Sequence, residues 1–249
     1  ESNFTGLTLP EVEANVEYHW PTCVNAAYAS MFLYFYPHVD PAYITEIKKL
    51  ESELKTKYET ENSADVINRS VDFGKKIAAA VSAWSETDNA GHLAYANPRP
   101  TSYQPPVTGP NGEVLWQPTM PDFSRALFPY WGKVRAFAIK HSDKLAKPPL
   151  QWSEDPNSKF YNQAKEIKLW VDNATYEDKW IAEFWSDDIF QLTFEPAARL
   201  ISLANQMAEA ENITLEKSVE LYAKMGMALC DVGIAVWNSK YIYNVERPV

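Results

Sequence analysis

Residues Thr214 to Val249 read TLEKSVELYAKMGMALCDVGIAVWNSKYIYNVERPV, and this stretch decides the fold. Thr214 is an N-cap type of residue, and no proline interrupts the run before Pro248. The pattern predicts one long helix from Leu215 to about Val245. At about 100° per residue, Gly226, Leu229, Gly233, Val236, Lys240, Asn244 and Arg247 fall within about 40° of one line. That stripe begins small and apolar and ends cationic. Two glycines in a helix interior cost roughly 1 kcal/mol each against alanine, and close helix–helix approach is the usual return. The stripe is therefore predicted to be deeply buried, with Lys240 and Arg247 carried inward. Two helical turns, about 10 Å, separate these cations, so their long side chains can converge on one anion. Arginine offers an oxyanion a planar fork and lysine a point charge. The same spacing also fits two exposed cations favoured by the C-terminal end of the helix dipole. Pro248 is expected to end the helix by disfavouring α geometry at the residue before it.

Upstream, the chain reads as further helices. Pro21 to Phe35 has no glycine and is stopped by Pro37, which predicts a helix buried nearly all round. Asp40-Pro41 is a cap followed by Pro at the first helical position; Ile44, Ile47, Leu50 and Leu54 then give a narrow apolar stripe to about Glu59. Asn62 or Ser63 can cap a third helix with Val66, Ile67, Val71, Phe73, Ile77, Val81 and Trp84 on its apolar face. Further helices are predicted at Ser158–Thr175, at Tyr176–Phe190 and from Pro196 through Met207. Between about residues 85 and 131 the helical period disappears among eight prolines. Aromatic residues such as Tyr103, Trp116, Phe128, Tyr130 and Trp131 resist solvation, so an ordered irregular loop is expected there, with a tight turn at Asn111-Gly112. The expectation is one all-α helical domain over 1–249.

Composition narrows the function classes. Lys plus Arg is 23 and Asp plus Glu is 33, a formal charge of −10. An acidic chain with no Lys or Arg run longer than two is a poor partner for nucleic acid or an anionic membrane surface. The longest apolar stretch, Ala26 to Tyr36, is short of the ~20 residues a span requires. Cys23 and Cys230 read as two buried free thiols, with a disulfide between them as the alternative, and no metal-type spacing of Cys or His is present. His19, His38, His92 and His141 are scattered, and no Gly-rich phosphate loop or Gly-x-Ser-x-Gly elbow occurs.

Asp231-Val232-Gly233-Ile234-Ala235-Val236-Trp237-Asn238-Ser239-Lys240 through Arg247-Pro248-Val249 resembles the first signature of the vanadium-dependent haloperoxidases. These share a superfamily with the type-2 phosphatidic acid phosphatases and bacterial acid phosphatases. The signature is a Lys, six residues, then Arg-Pro. Trp237, three residues before Lys240, is similar to the soluble haloperoxidase branch in particular, as are Trp116-Gln117-Pro118-Thr119, Gly132 to Phe137 and Phe184-Trp185-Ser186-Asp187.

The resemblance implies an incomplete helical bundle of the haloperoxidase or acid phosphatase type. It implies that Lys240 and Arg247 bind the oxygens of vanadate, or of the phosphate it mimics, with Trp237 as a pocket wall. Vanadate is the implied cofactor for a haloperoxidase; a phosphatase needs none. The family also uses a Ser-Gly-His segment and a later Arg, five residues, His segment, neither of which follows Lys240 here. The chain is thus expected to be the N-terminal part of a longer enzyme, with no complete catalytic set, inactive alone, and partnered by an oxyanion and the complementary C-terminal segment. Self-association and an extracytoplasmic location accompany that expectation. The rival expectation is a non-catalytic helical protein of the cell envelope that holds a glycan or protein partner on the aromatic loop, for example on Tyr103 or Trp116.

Overall fold

Three capping devices start the first three helices where the sequence predicts them. Pro21 lies in the first turn of α1 (Trp20–Phe35), where its missing N–H has no intrahelical partner to lose. Asp40 accepts a hydrogen bond from the Ala42 amide to begin α2 (Pro41–Glu59), and Ser63 accepts from the Val66 amide to begin α3 (Ala64–Glu86). The computed structural model describes residues 4–187 and 195–247. The chain divides into two compact units, Glu1–His92 and Leu93–Val249.

In the first unit α1 packs on α3 and, less extensively, on α2. Small residues set the contact: Thr22, Cys23, Ala26 and Ala29 of α1 are buried, as are Ile67, Ser70, Gly74 and Ala78 of α3. The Ser70 hydroxyl accepts from the His19 amide and donates to the Val66 carbonyl. Burial pushes the Cys23 thiol pKa up. The expectation that α1 is buried nearly all round fails. Trp20, Tyr28, Phe32 and Tyr36 are exposed, with Tyr28 tilted against Phe32 and Phe32 stacked on Tyr36. A helix with no charged residue carries no mark of which face is covered, and only its small-residue face lets α3 approach closely. A Cβ on Gly74 would lie 2.2 Å from the Cys23 carbonyl oxygen and 3.2 Å from the Ala26 Cβ. Gly74→Ala is therefore expected to destabilise this unit by about 2 kcal/mol, because overpacking of about 3 kcal/mol outweighs the ~1 kcal/mol gain in helix propensity. A melting temperature equal to or above wild type would contradict this.

The irregular segment starts later than expected. α3 continues to Glu86, and α4 (Asn89–Ala96) follows, its first turn capped by Asp88 accepting from the Gly91 amide. No proline occurs between Glu86 and Pro98, so nothing prevents this helix. From there to Ser158 the chain is irregular apart from two 3-10 turns, Trp131–Lys133 and His141–Lys144. The Asn111-Gly112 turn forms, with Gly112 at φ +84° and Gly109 N–H donating to the Glu113 carbonyl at 2.8 Å. Ser158 caps α5 (Lys159–Asp172), and a capping box of Thr175 and Asp178 starts α6 (Tyr176–Phe184). The predicted end of that helix, Phe190, lies outside the described residues. Pro196 opens α7 (Pro196–Ala210), where Arg199 pairs with Asp187 and lies over the rings of Phe184 and Trp185.

The last helix, α8 (Leu215–Tyr243), carries the irregular segment. Ile234 is fully buried against Val134 and Ala136. Polar side chains on α8 satisfy loop backbone groups that no regular element would satisfy. Trp237 Nε1 and the Tyr241 hydroxyl both donate to the Leu127 carbonyl, at 2.9 and 2.7 Å. Asn238 donates to the Lys144 carbonyl, Ser239 accepts from the Ala146 amide, and Tyr243 donates to the Ala146 carbonyl. The buried Asp231 carboxylate accepts from three consecutive amides, those of Phe137, Ala138 and Ile139, at 2.7, 2.7 and 3.0 Å. The described residues form eight α-helices and no strand, an all-α fold.

Candidate functional site

α8 ends earlier than predicted. Asn244 adopts the left-handed conformation at φ 46° and ψ 42°, so its amide caps the Lys240 carbonyl and the helix stops at Tyr243. Beyond it the backbone is extended: Trp116 N–H donates to the Asn244 carbonyl at 2.9 Å, and Leu115 bridges Val245. Arg247 is thus not on the helix, and the predicted stripe breaks at Asn244. Pro248, the expected terminator, lies outside the described residues.

The predicted burial of that stripe is also corrected. Gly226 has nothing within 4 Å of an added Cβ, and at Gly233 the nearest atom is Trp131 Nε1 at 3.7 Å. The close approach to α8 occurs instead at Gly132, where a Cβ would sit 2.6 Å from Asn238 Oδ1 and 2.9 Å from the Asn238 Cα. Lys240 and Arg247 are both exposed residues.

They nevertheless come together. Both line one cavity of about 530 Å³ at the C-terminal end of α8. The turn at Asn244 achieves what the helical spacing was expected to achieve. Lys147 adds a third cation to the lining and Asp143 one carboxylate, while Val236, Tyr241 and Tyr243 supply apolar wall. Among the described residues no carboxylate pairs with Lys240 or Arg247. Arg247 lies 5.8 Å from the Trp116 ring centroid, and Lys240 lies 5.4 Å from that of Trp237. Trp237 is held by Leu127 and tilted against Phe128, so it touches the lysine without lining the cavity. The recess thus gathers three cations against one carboxylate in a chain of net charge −10.

Although Lys240 is an exposed residue, its ammonium is partly desolvated. That desolvation, followed by the positive charges of Arg247 and Arg99, pulls its pKa below the ordinary lysine value. Desolvation, followed by the neighbouring Tyr103, pushes the Tyr241 hydroxyl up to about 12, which keeps it a neutral donor. The sign for Lys240 is clear. The fold disfavours its charged form, a cost present at low pH and relieved as pH rises from the folded pKa toward 10.5. An oxyanion bound beside Lys240 would reverse this and draw a proton onto it. Phosphate affinity is therefore expected to fall as pH rises through the lowered pKa, with the decline starting below where a free lysine titrates. Lys240→Arg is expected to flatten that alkaline limb; an unchanged limb in titration calorimetry would refute the assignment.

Two residues of this lining, named in the sequence only as part of the resemblance, a glycan platform and the helix stripe, carry polar groups whose state the sequence did not show. Trp116 Nε1 and Asn244 Nδ2 are buried donors without a partner among the described residues. The local signal for Asn244 was available, since asparagine is the usual non-glycine residue for a left-handed cap. For Trp116 the only signal was the resemblance of the Trp116 to Thr119 stretch, because a backbone pairing across distant sequence brings it to Asn244.

No family model and no curated protein matches the chain. Among solved structures, a bacterial vanadium-dependent iodoperoxidase superposes with a TM-score of 0.79 at 24% identity, over 98% of this chain. The match spans 57% of that protein's chain, less than two thirds of its length. The chain therefore has the all-α fold of the corresponding part of a vanadium iodoperoxidase.

Proposed function

We propose that this chain supplies the lysine–arginine half of a tetrahedral-oxyanion pocket in a vanadium-haloperoxidase-like or related phosphatase enzyme. The observation that carries this reading is the convergence of Lys240 and Arg247, without a carboxylate partner among the described residues, on one cavity. The lining fits vanadate or phosphate, because it is rich in donors and both anions are all acceptor. Lys240 would hold one oxygen by a charge-assisted bond, and Arg247 would offer two parallel N–H groups to others. When bound, vanadate would supply peroxide activation for halide oxidation, whereas phosphate would occupy the same cradle as a hydrolytic substrate or product. Where the apolar walls shield these bonds from water, the bonds would be stronger. The Ser-Gly-His and Arg-x5-His elements would come from a complementary segment, and an extracytoplasmic location accompanies this assignment. The glycan-binding alternative draws no support from its two named aromatics. Trp116 is buried, and Tyr103 packs edge-on against Tyr130 and Tyr241. The test is titration calorimetry with orthovanadate and phosphate. Both are expected to bind, and Arg247→Ala is expected to weaken each at least ~30-fold, the cost of losing a charged bidentate contact. Binding indifferent to Arg247→Ala and Lys240→Ala would overturn the assignment.

A further inference from the structure

We infer that Trp116 and Asn244 complete the oxyanion pocket as neutral N–H donors, the indole Nε1–H and the amide Nδ2–H₂ reaching anion oxygens that the two cations leave free. The inference rests on the oxyanion reading above and adds a second, uncharged class of ligand-binding residue to it. Trp116 is 9% exposed and Asn244 4%, and the indole and amide nitrogens of both lack a hydrogen-bond partner. Buried polar groups are nearly always satisfied, so each orphan calls for an explanation. Packing does not provide one. Phenylalanine at 116 would stack on Arg247 and fill the site without an orphaned N–H. Glycine at 244 would take the left-handed cap more easily than asparagine and bring no amide to bury. Both residues thus carry a donor that the apo fold does not use.

The two orphans are not independent of place. The Trp116 amide bonds the Asn244 carbonyl, and the Trp116 ring meets the Arg247 guanidinium. Both residues line the cavity that holds Lys240 and Arg247. All four donate, and none of the four donor groups has an acceptor among the described residues. A tetrahedral oxyanion presents acceptors in every direction and matches such a set. The neutral donors also differ from the cations in kind. Their contribution is short-range and less sensitive to salt, so they favour a bound oxyanion over a diffuse chloride atmosphere.

The experiment measures orthovanadate and inorganic phosphate affinity by calorimetry at fixed salt for wild type, Trp116→Phe, Asn244→Gly and Lys240→Ala, with melting temperatures in the presence and absence of anion. Trp116→Phe and Asn244→Gly are each expected to weaken binding about tenfold, the usual loss for one hydrogen bond to a charged group. Without anion, Trp116→Phe is expected to melt no lower than wild type, since it removes an unsatisfied group. With anion, it should lose much of the stabilisation that wild type gains. Wild-type binding that depends on Lys240 but is unchanged in both neutral-donor variants would overturn this inference and leave the lysine–arginine reading standing. Absence of anion binding in wild type would overturn both. Asn244→Gly keeps the backbone conformation, so a folding defect in Trp116→Phe would not remove the test.

Discussion

Replacing Asp231 with alanine is expected to destabilise the second unit by about 3–5 kcal/mol, a loss of roughly 10 °C in its melting temperature. Asp231 is 4% exposed, and its two oxygens accept the amides of Phe137, Ala138 and Ile139. Three successive N–H groups converging on one point form a concavity for negative charge, here filled by a side chain from α8. Hydrogen bonds to a charged group contribute about 1.5–3 kcal/mol each, and leaving buried donors unpaired adds a penalty that entering water only partly offsets. Asp231→Asn keeps the shape and one acceptor oxygen but turns an NH₂ toward N–H groups, so about 2–3 kcal/mol is expected. The neighbouring core of Val134, Ala136 and Ile234 should loosen in both variants, visible as faster amide exchange at residues 134–139. Equal stability of Asp231→Ala and wild type would show that the loop is held by other contacts.

Assayed alone, these 249 residues are expected to show neither peroxide-dependent halide oxidation nor phosphate-ester hydrolysis above the buffer rate. Two cations can position an oxyanion but cannot attack it. Phosphoryl transfer requires a nucleophile in line, and the resemblance assigns that role, and the vanadium ligand, to a histidine after the second motif. The unit that contains the cavity has one histidine, His141, which is exposed and does not line it. Loss of one oxyanion donor costs about 10²–10³ in rate, and loss of the nucleophile as well leaves almost nothing. The check is a bromide- or iodide-plus-peroxide assay with orthovanadate, beside a phosphate-ester assay without it. Turnover that disappears in Lys240→Ala would show a complete site within these residues. The same reading expects self-association, because Trp170, Trp180, Phe184 and Trp185 are exposed large apolar groups. A chain that stays monomeric in sedimentation at high concentration would contradict that part.

Local chemistry was legible in the sequence wherever one side chain acts on its own neighbours. The starts at Pro41, Ala64, Lys159, Pro196 and Leu215 follow from Asp, Ser, Thr or Pro at or beside the cap, and the turn at Gly112 follows from its positive φ. Periodicity was enough for the all-α class, and the resemblance of the Lys240 to Pro248 stretch for naming Lys240 and Arg247 together. Which glycine admits a neighbour was decided elsewhere. Gly226 and Gly233 carried the expectation, while Gly74 and Gly132 make the contacts, because close approach is a property of two surfaces and only one is written in a helix's own sequence. Helical spacing likewise placed Arg247 beside Lys240 for the wrong reason. A left-handed residue at 244 and its backbone pairing with Trp116 bring the arginine round instead. The sequence by itself determined most helix starts, the cation types that line the cavity and the acidic background. Tertiary structure alone brought Trp116 to the cavity, since its backbone pairing with Asn244 spans more than a hundred residues and no local rule encodes it.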